Sequence, residues 1–358
     1  MKYEFFLFDL WPYFLIACVF LYCNYTNSKY SSKLIFISLL TFSVLRYDVG
    51  WDYIAYRTVI ESGFNNIINL RYEPLSKYLF LIGSYLNFYP IVFAIFSFLT
   101  LRIVYTSINK YSINPVLSWL VFYSFPLFFF ASLSTIRQSL ATMLIFYSYK
   151  YVIEKKYIKF FIILIVAMSF HISSIVGVLL LPIIIFPISK LTNIILFIGS
   201  FYVSKIILLF MINSDFVFLR VFQNYIGYEE AKPELISYLY YGFGIFNLLY
   251  YNKLSKINPQ NKVIISLINI GLVLFNILSF EPITSLRVSA FFLIFLIYLI
   301  PYYVEIFNKQ SRALVKNILA MSFLSLSSMY LYMYINNYGN GVIEKVSFLP
   351  FKFWFNNL

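Results

Sequence analysis

The sequence predicts an all-α polytopic membrane protein: one bundle of about twelve transmembrane helices, a re-entrant or interfacial helix, and small extracytoplasmic loops. Three observations carry that expectation. Of the 358 residues, 61% are hydrophobic and only 11% charged, with a mean hydropathy of +0.81. A soluble domain carries about 25% charged residues, and one globular interior cannot hide this much apolar surface. The apolar runs are also long and continuous, whereas barrel strands alternate over about ten residues. Finally, 42 Phe, 34 Tyr and 4 Trp suit a bundle with aromatic rings at its lipid–water boundaries. A soluble enzyme, a disordered chain and a coiled coil are excluded.

In chain order, apolar runs between polar breaks fall near 9–23, 33–45, 88–109, 113–131, 135–153 and 157–171. Six more follow near 172–188, 191–212, 235–251, 262–280, 284–307 and 313–335. The stretch 157–188 is too long for one helix and divides at His171, Ser173 and Ser174. Residues 75–87 are apolar but too few to cross a core of about 30 Å at about 1.5 Å per residue. They are expected to be re-entrant or interfacial. Cys18 and Cys23 lie within the first run, where one helix cannot easily bridge them, and read as packing residues. The first run lacks a basic flank and a small-residue cleavage site, so no cleavable signal is expected.

Charge orients the bundle. The net charge of +13 is distributed as loop lysines, which points to the positive-inside bias rather than to nucleic acid. With the twelve-span layout, one face carries Lys29, Lys110, Lys156, Lys256 and eleven other basic groups against Glu154 and Glu305. That face is expected in the cytoplasm and both termini outside. Counting 75–87 as a full span would export the Lys150–Lys159 cluster. Six of the eight arginines fall on the outer face. Arginine offers a planar fork for phosphate or carboxylate, whereas a lysine point charge is adequate for orientation. Chemistry is therefore expected on the outer face.

The outer segments supply the candidate residues. Loop 46–73 holds Arg46, Asp48, Asp52 and Glu73. Asp48 and Asp52 are four apart, so a helix would put both on one face, where they could hold a cation or merely solvate a loop. Glu73-Pro74 opens the short apolar piece, and helix capping accounts for this glutamate as well as catalysis does. Arg137 heads an apolar helix amid Ser134, Gln138 and Ser139; it either snorkels to headgroups or marks a functional site. His171 is the only histidine, suited to general-base or donor work but unable to build a usual zinc site alone. Glu281-Pro282 and Arg287 begin a late helix in the same manner as Arg137. A second outer loop, 213–234, contributes Arg220 and four acids. The tail 336–358, with its Phe348–Phe355 aromatic segment, is expected to be extracytoplasmic or interfacial. No Gly-rich phosphate loop, HExxH or serine elbow is present.

Five motifs in this order carry a family resemblance. They are Arg-x-x-Val-Gly-x-Asp-Tyr-x-x-Tyr (Arg46 to Tyr56), Glu73-Pro74-Leu75, Ser134 to Ala141, His171-Ile172-Ser173-Ser174, and the late Arg287. Over residues 40–300 or so, the sequence resembles the EpsG-like family, grouped with Wzy-type O-antigen and exopolysaccharide polymerases. The resemblance implies a GT-C-like glycosyltransferase in the bacterial cytoplasmic membrane. Its activity would join undecaprenyl-pyrophosphate-linked repeats at the outer face. It further implies a lipid-linked glycan donor and acceptor, membrane lipid and a chain-length regulator protein as partners. No cofactor is expected, and phosphate neutralisation by several arginines would remove the usual need for a divalent metal. On that footing, Arg46, Arg137 and Arg287 would neutralise pyrophosphate, and Asp52, Glu73 or His171 would supply the base. Asp48, Ser134, Gln138 and Glu281 would support them. An O-antigen ligase-like transferase and a lipid-linked sugar flippase or transporter stay open, though no internal repeat favours a transporter.

Overall fold

The computed structural model describes residues 10–213, 235–339, 348–349 and 351–357. Arg220 and the four acids of the second outer loop lie outside the described residues, as does the tail segment 340–347. Most apolar runs of the sequence are helical to within a few residues. The first half runs through α1 (Trp11–Thr26), α2 (Ser31–Leu45), α3 (Tyr53–Glu61), α4 (Phe64–Asn69), α5 (Pro74–Tyr85) and α6 (Pro90–Tyr111). It continues with α7 (Pro115–Ser124), α8 (Phe129–Ser134), α9 (Ile136–Ile153) and α10 (Tyr157–Phe170). After a 3-10 helix, Ile172–Leu179, come α11 (Leu180–Ile185), α12 (Lys190–Asn213), α13 (Leu235–Leu249), α14 (Tyr251–Ile257) and α15 (Gln260–Ile277). The last are α16 (Pro282–Leu293), α17 (Leu296–Leu299), α18 (Pro301–Glu305) and α19 (Lys309–Gly339). Proline opens α5, α6, α7 and α16, where its missing N–H has no intrahelical partner to lose.

Among the described residues, five helical stretches are long and apolar enough to cross a membrane. They are Pro90–Tyr111, Lys190–Ile207, Gln260–Ile277, Pro282–Glu305 and Lys309–Tyr332. The expectation of twelve full spans is therefore met only in part. The run expected at 113–131 breaks after Ser124, at Pro126, into α7 and α8, and α7 has only 10 residues. At about 1.5 Å per residue it covers about half of a hydrocarbon core.

Packing makes the membrane character plain in α12. Leu191, Ile195, Ile198, Tyr202, Ile206 and Leu209 recur at helical spacing and are all exposed. Its buried stripe instead contains Asn193, Phe197 and Ser200, packed against α15. Asn193 donates to Ser266 Oγ at 3.3 Å, Asn269 to the Asn193 carbonyl at 3.0 Å, and Asn276 to Ser200 Oγ at 2.7 Å. Apolar side chains outward and hydrogen-bonding ones inward is the arrangement that lipid, not water, favours.

Two ends of the bundle are distinct. At one, Lys110 and Lys156 pair with Glu154 at 3.2 and 2.7 Å, where α6 and α9 terminate. At the other, the ends of α2, α5, α9, α10 and α16 gather the arginines and acids of the outer segments. Both ends of α5 contact this second region. Glu73 at its start pairs with Arg137, and just past its end Tyr89 lies beneath Arg57, 4.8 Å from ring centroid to guanidinium. A 12-residue helix that begins and finishes at one end does not cross the bundle.

The tail packs onto the bundle. Residues 352–353 form β2, pairing antiparallel with β1, Arg46–Tyr47, with Arg46 opposite Phe353. Phe351 is buried against Phe42 at 4.4 Å, and Phe348 against Phe130 at 5.2 Å. Burying these rings holds the tail across the site end of the bundle.

Candidate active site

The turn Arg46–Asp52 is built around one backbone carbonyl. Arg46 leaves the helical conformation of α2, enters β1 and buries its side chain to 1% exposure. Its guanidinium donates to the carbonyls of Ser43 and Leu133 and to Ser97 Oγ, the last two at 3.4 and 3.2 Å. The ring of Phe93 lies 5.4 Å away. Burial lowers the Arg46 pKa to about 10, with Tyr53 and Tyr13 opposing, so it stays cationic at neutral pH. Gly50, at φ +112°, packs on the same Leu133 carbonyl; a Cβ there would lie 2.2 Å from the oxygen. Only glycine tolerates both the conformation and the approach. The Trp51 N–H then donates to Ser134 Oγ at 3.1 Å, and Asp52 stands at the head of α3 without its carboxyl capping that helix.

Two sequence expectations change here. Asp48 adopts a left-handed φ of 53° in the turn, and α3 starts only at Tyr53. The two aspartates thus do not share a helical face. Arg46, expected on pyrophosphate, does not line the cavity described next; it clamps the turn to α8 through protein carbonyls. Among the described residues, no three of His, Cys, Asp and Glu gather as a metal-binding group.

Beside this turn lies a cavity of about 570 Å³. Its polar lining comes from Asp52, Ser134, Thr135, Gln138 and Arg287, its apolar lining from Leu127, Phe130, Ile283 and Tyr330 among others. From Gln138 the lining descends along α9 to Met143, about 8 Å at about 1.5 Å per residue. Burial raises the Asp52 pKa, while Arg287 and then Arg137 pull it down. Arg287 is exposed into this space, and its guanidinium makes no hydrogen bond or ion pair among the described residues. Gln138 fixes the backbone that carries it, donating from Nε2 to the Arg287 carbonyl at 2.8 Å. Glu281 caps α16 by accepting the Thr284 N–H, which sets the helix that presents Arg287.

A second cluster adjoins the first. Glu73 pairs with Arg137 through one carboxylate oxygen and accepts the Ile172 N–H at 3.1 Å on the other. Arg137 lies over the ring of Tyr72, 4.4 Å from its centroid. His171 caps the 3-10 helix: its Nδ1 accepts the Ser173 N–H at 3.4 Å and lies 2.7 Å from Ser173 Oγ. A ring nitrogen that accepts a backbone N–H carries no proton, so the imidazole proton sits on Nε2. Burial lowers the His171 pKa to about 4; Glu73 opposes that shift, and Arg137 and Arg287 add to it. At neutral pH His171 is a neutral Nε2–H donor. Arg137 and Arg287 act on both Asp52 and His171, which makes the two clusters one electrostatic neighbourhood.

Sequence motifs missed the aromatic support of this region. Tyr72 beneath Arg137 and Phe348 from the far end of the chain join through tertiary packing. Only Tyr56, whose centroid is 5.9 Å from Arg137, belonged to a recognisable motif.

A family model, the EpsG family, matches residues 29–353. The chain belongs to the EpsG family. No curated protein matches it, and no solved structure does. Membership makes this EpsG-family chain a membrane protein of the polysaccharide-polymerase type. The matched span contains the turn, the cavity, both arginine-bearing helix starts, and the β1–β2 pairing.

Proposed function

We propose that the chain polymerises lipid-linked oligosaccharide repeats, with undecaprenyl pyrophosphate as the leaving group, at the outer face of the bacterial cytoplasmic membrane. The observation that carries this reading is the cavity itself: the carboxyl of Asp52, which does not cap its helix, shares it with the Arg287 guanidinium, which has no partner among the described residues, beside apolar lining. Asp52 takes the proton of an acceptor sugar hydroxyl as that oxygen attacks the donor's anomeric carbon. The bond from that carbon to pyrophosphate oxygen breaks, and the electron pair leaves with the pyrophosphate. Arg287 meets the departing charge in a water-poor space, where preorganised charge stabilises most strongly. Glu73 is less suited to be the base, because Arg137 and the Ile172 N–H occupy its two oxygens. His171 supplies an N–H rather than an acceptor. Arg137, held by Glu73 and Tyr72, adds positive potential to the neighbourhood. The outer-face assignment rests on the lysine asymmetry of the two ends.

The test incubates purified protein in lipid nanodiscs with the repeat-bearing lipid and resolves products on a gel. A ladder of increasing length is expected. Folded protein that leaves the substrate unchanged would overturn the proposal, and transfer of a single repeat to a lipid A-core acceptor would identify a ligase.

A further inference from the structure

Trp51 is the odd residue of the site turn. Val49 and Tyr53, two positions to either side, are buried at 0% and 1% exposure, yet Trp51 is 50% exposed. The turn is not free to hide it: Gly50 is pressed on the Leu133 carbonyl, and the Trp51 N–H is held by Ser134. Exposing half of so large an apolar side chain forgoes burial that would otherwise stabilise the fold. The indole lines the same cavity as Asp52 and Arg287.

We infer that Trp51 is a stacking platform for the acceptor sugar, holding one pyranose face while the adjacent Asp52 meets its hydroxyl. A sugar ring has a face of C–H groups and a rim of hydroxyls. A rigid indole beside a carboxylate matches both, the ring face by dispersion and the rim by hydrogen bonding. The level is also right. Trp51, Ser134 and Thr135 line the cavity at the start of α9, whereas Met143 marks its depth, where a hydrocarbon chain would be seated. A tryptophan serving only as a headgroup anchor has no need to line a cavity with a carboxylate and a guanidinium. The inference rests on the polymerase reading and adds a specificity-determining residue to it.

The test compares Trp51→Phe and Trp51→Leu in nanodiscs. The substrate is the lipid-linked repeat extracted from cells lacking this protein. Leucine keeps the apolar volume needed by an anchor but removes the ring face. Trp51→Leu should raise the half-saturating repeat concentration about five-fold with kcat within about two-fold, and Trp51→Phe should stay near wild type. Matching thermal unfolding of the two variants separates this from misfolding. As a readout without turnover, the repeat should change the emission that wild type has and Trp51→Phe lacks, and undecaprenyl pyrophosphate alone should not. Equal kinetics for the two variants, or an equal spectral change with the sugar-free lipid, would overturn the platform and assign Trp51 to lipid. A wild-type protein that makes no ladder overturns the polymerase reading, and the platform with it. A normal ladder from Trp51→Leu at all substrate concentrations overturns the platform alone.

Discussion

Glu73 and Arg137, 64 positions apart, form an ion pair that fastens the start of α5 to the start of α9. Both side chains are largely shielded, at 17% and 15% exposure, so neither charge is well solvated without the other. Glu73→Gln should therefore lower thermal stability by roughly 1–3 kcal/mol and reduce product, because it strands a guanidinium. The pairing itself is measured by a double-mutant cycle with Arg137→Gln. Additive losses in stability would show that the two residues act independently.

Arg46 and Arg287 should respond differently to the same change. Arg46→Lys loses a fork bonded to two backbone carbonyls and a serine, so its primary effect is a lower unfolding temperature. Arg287→Lys leaves the fold alone and removes the geometry offered to pyrophosphate, lowering turnover by about 10²-fold or more. Unfolding curves and rates measured on the two variants side by side decide the matter. Normal turnover by Arg287→Lys would remove it from pyrophosphate binding.

The pH profile distinguishes Asp52 from His171. A base must be ionised to accept a proton, and the Asp52 pKa is raised by burial, so the acid limb should lie above the ordinary carboxylate range. His171, with its pKa lowered to about 4, should add no limb between pH 5.5 and 8. Asp52→Asn should lose about 10²–10⁴-fold in rate and the acid limb with it. His171→Gln keeps a donor and should retain part of the activity. A limb near pH 6.5 that vanishes in His171→Gln would restore the histidine as base.

Topology is open to direct labelling. Cysteine at Lys156, beside Glu154 at the lysine-rich end, should resist an impermeant thiol reagent in intact cells. Cysteine at Asn65 on α4 should react, since that helix belongs to the loop bearing Asp52. Labelling at Lys156 would invert the bundle and move the site to the cytoplasm.

The all-α membrane architecture was legible because apolar run length and lysine placement are properties of the chain alone. So was the short α5, too few residues to cross. The grouping of Asp52, Glu73, Arg137, His171 and Arg287 at one end was also readable, since each lies at or near a polar break between apolar runs. Their roles were not. Arg46 and Arg287 are the same residue type, one just past the end of α2 and the other in the second turn of α16, and only packing sends one onto the Leu133 carbonyl and the other into the cavity. The histidine likewise has an ordinary pKa until burial removes water from its imidazole and Ser173 occupies Nδ1. Nor could local pattern show that Lys352–Phe353 would pair with Arg46–Tyr47 from the far end of the chain. Sequence periodicity sets which segments become helices and which face meets lipid. Solvation and hydrogen-bond partners depend on which distant segments touch, and those contacts are made only in three dimensions.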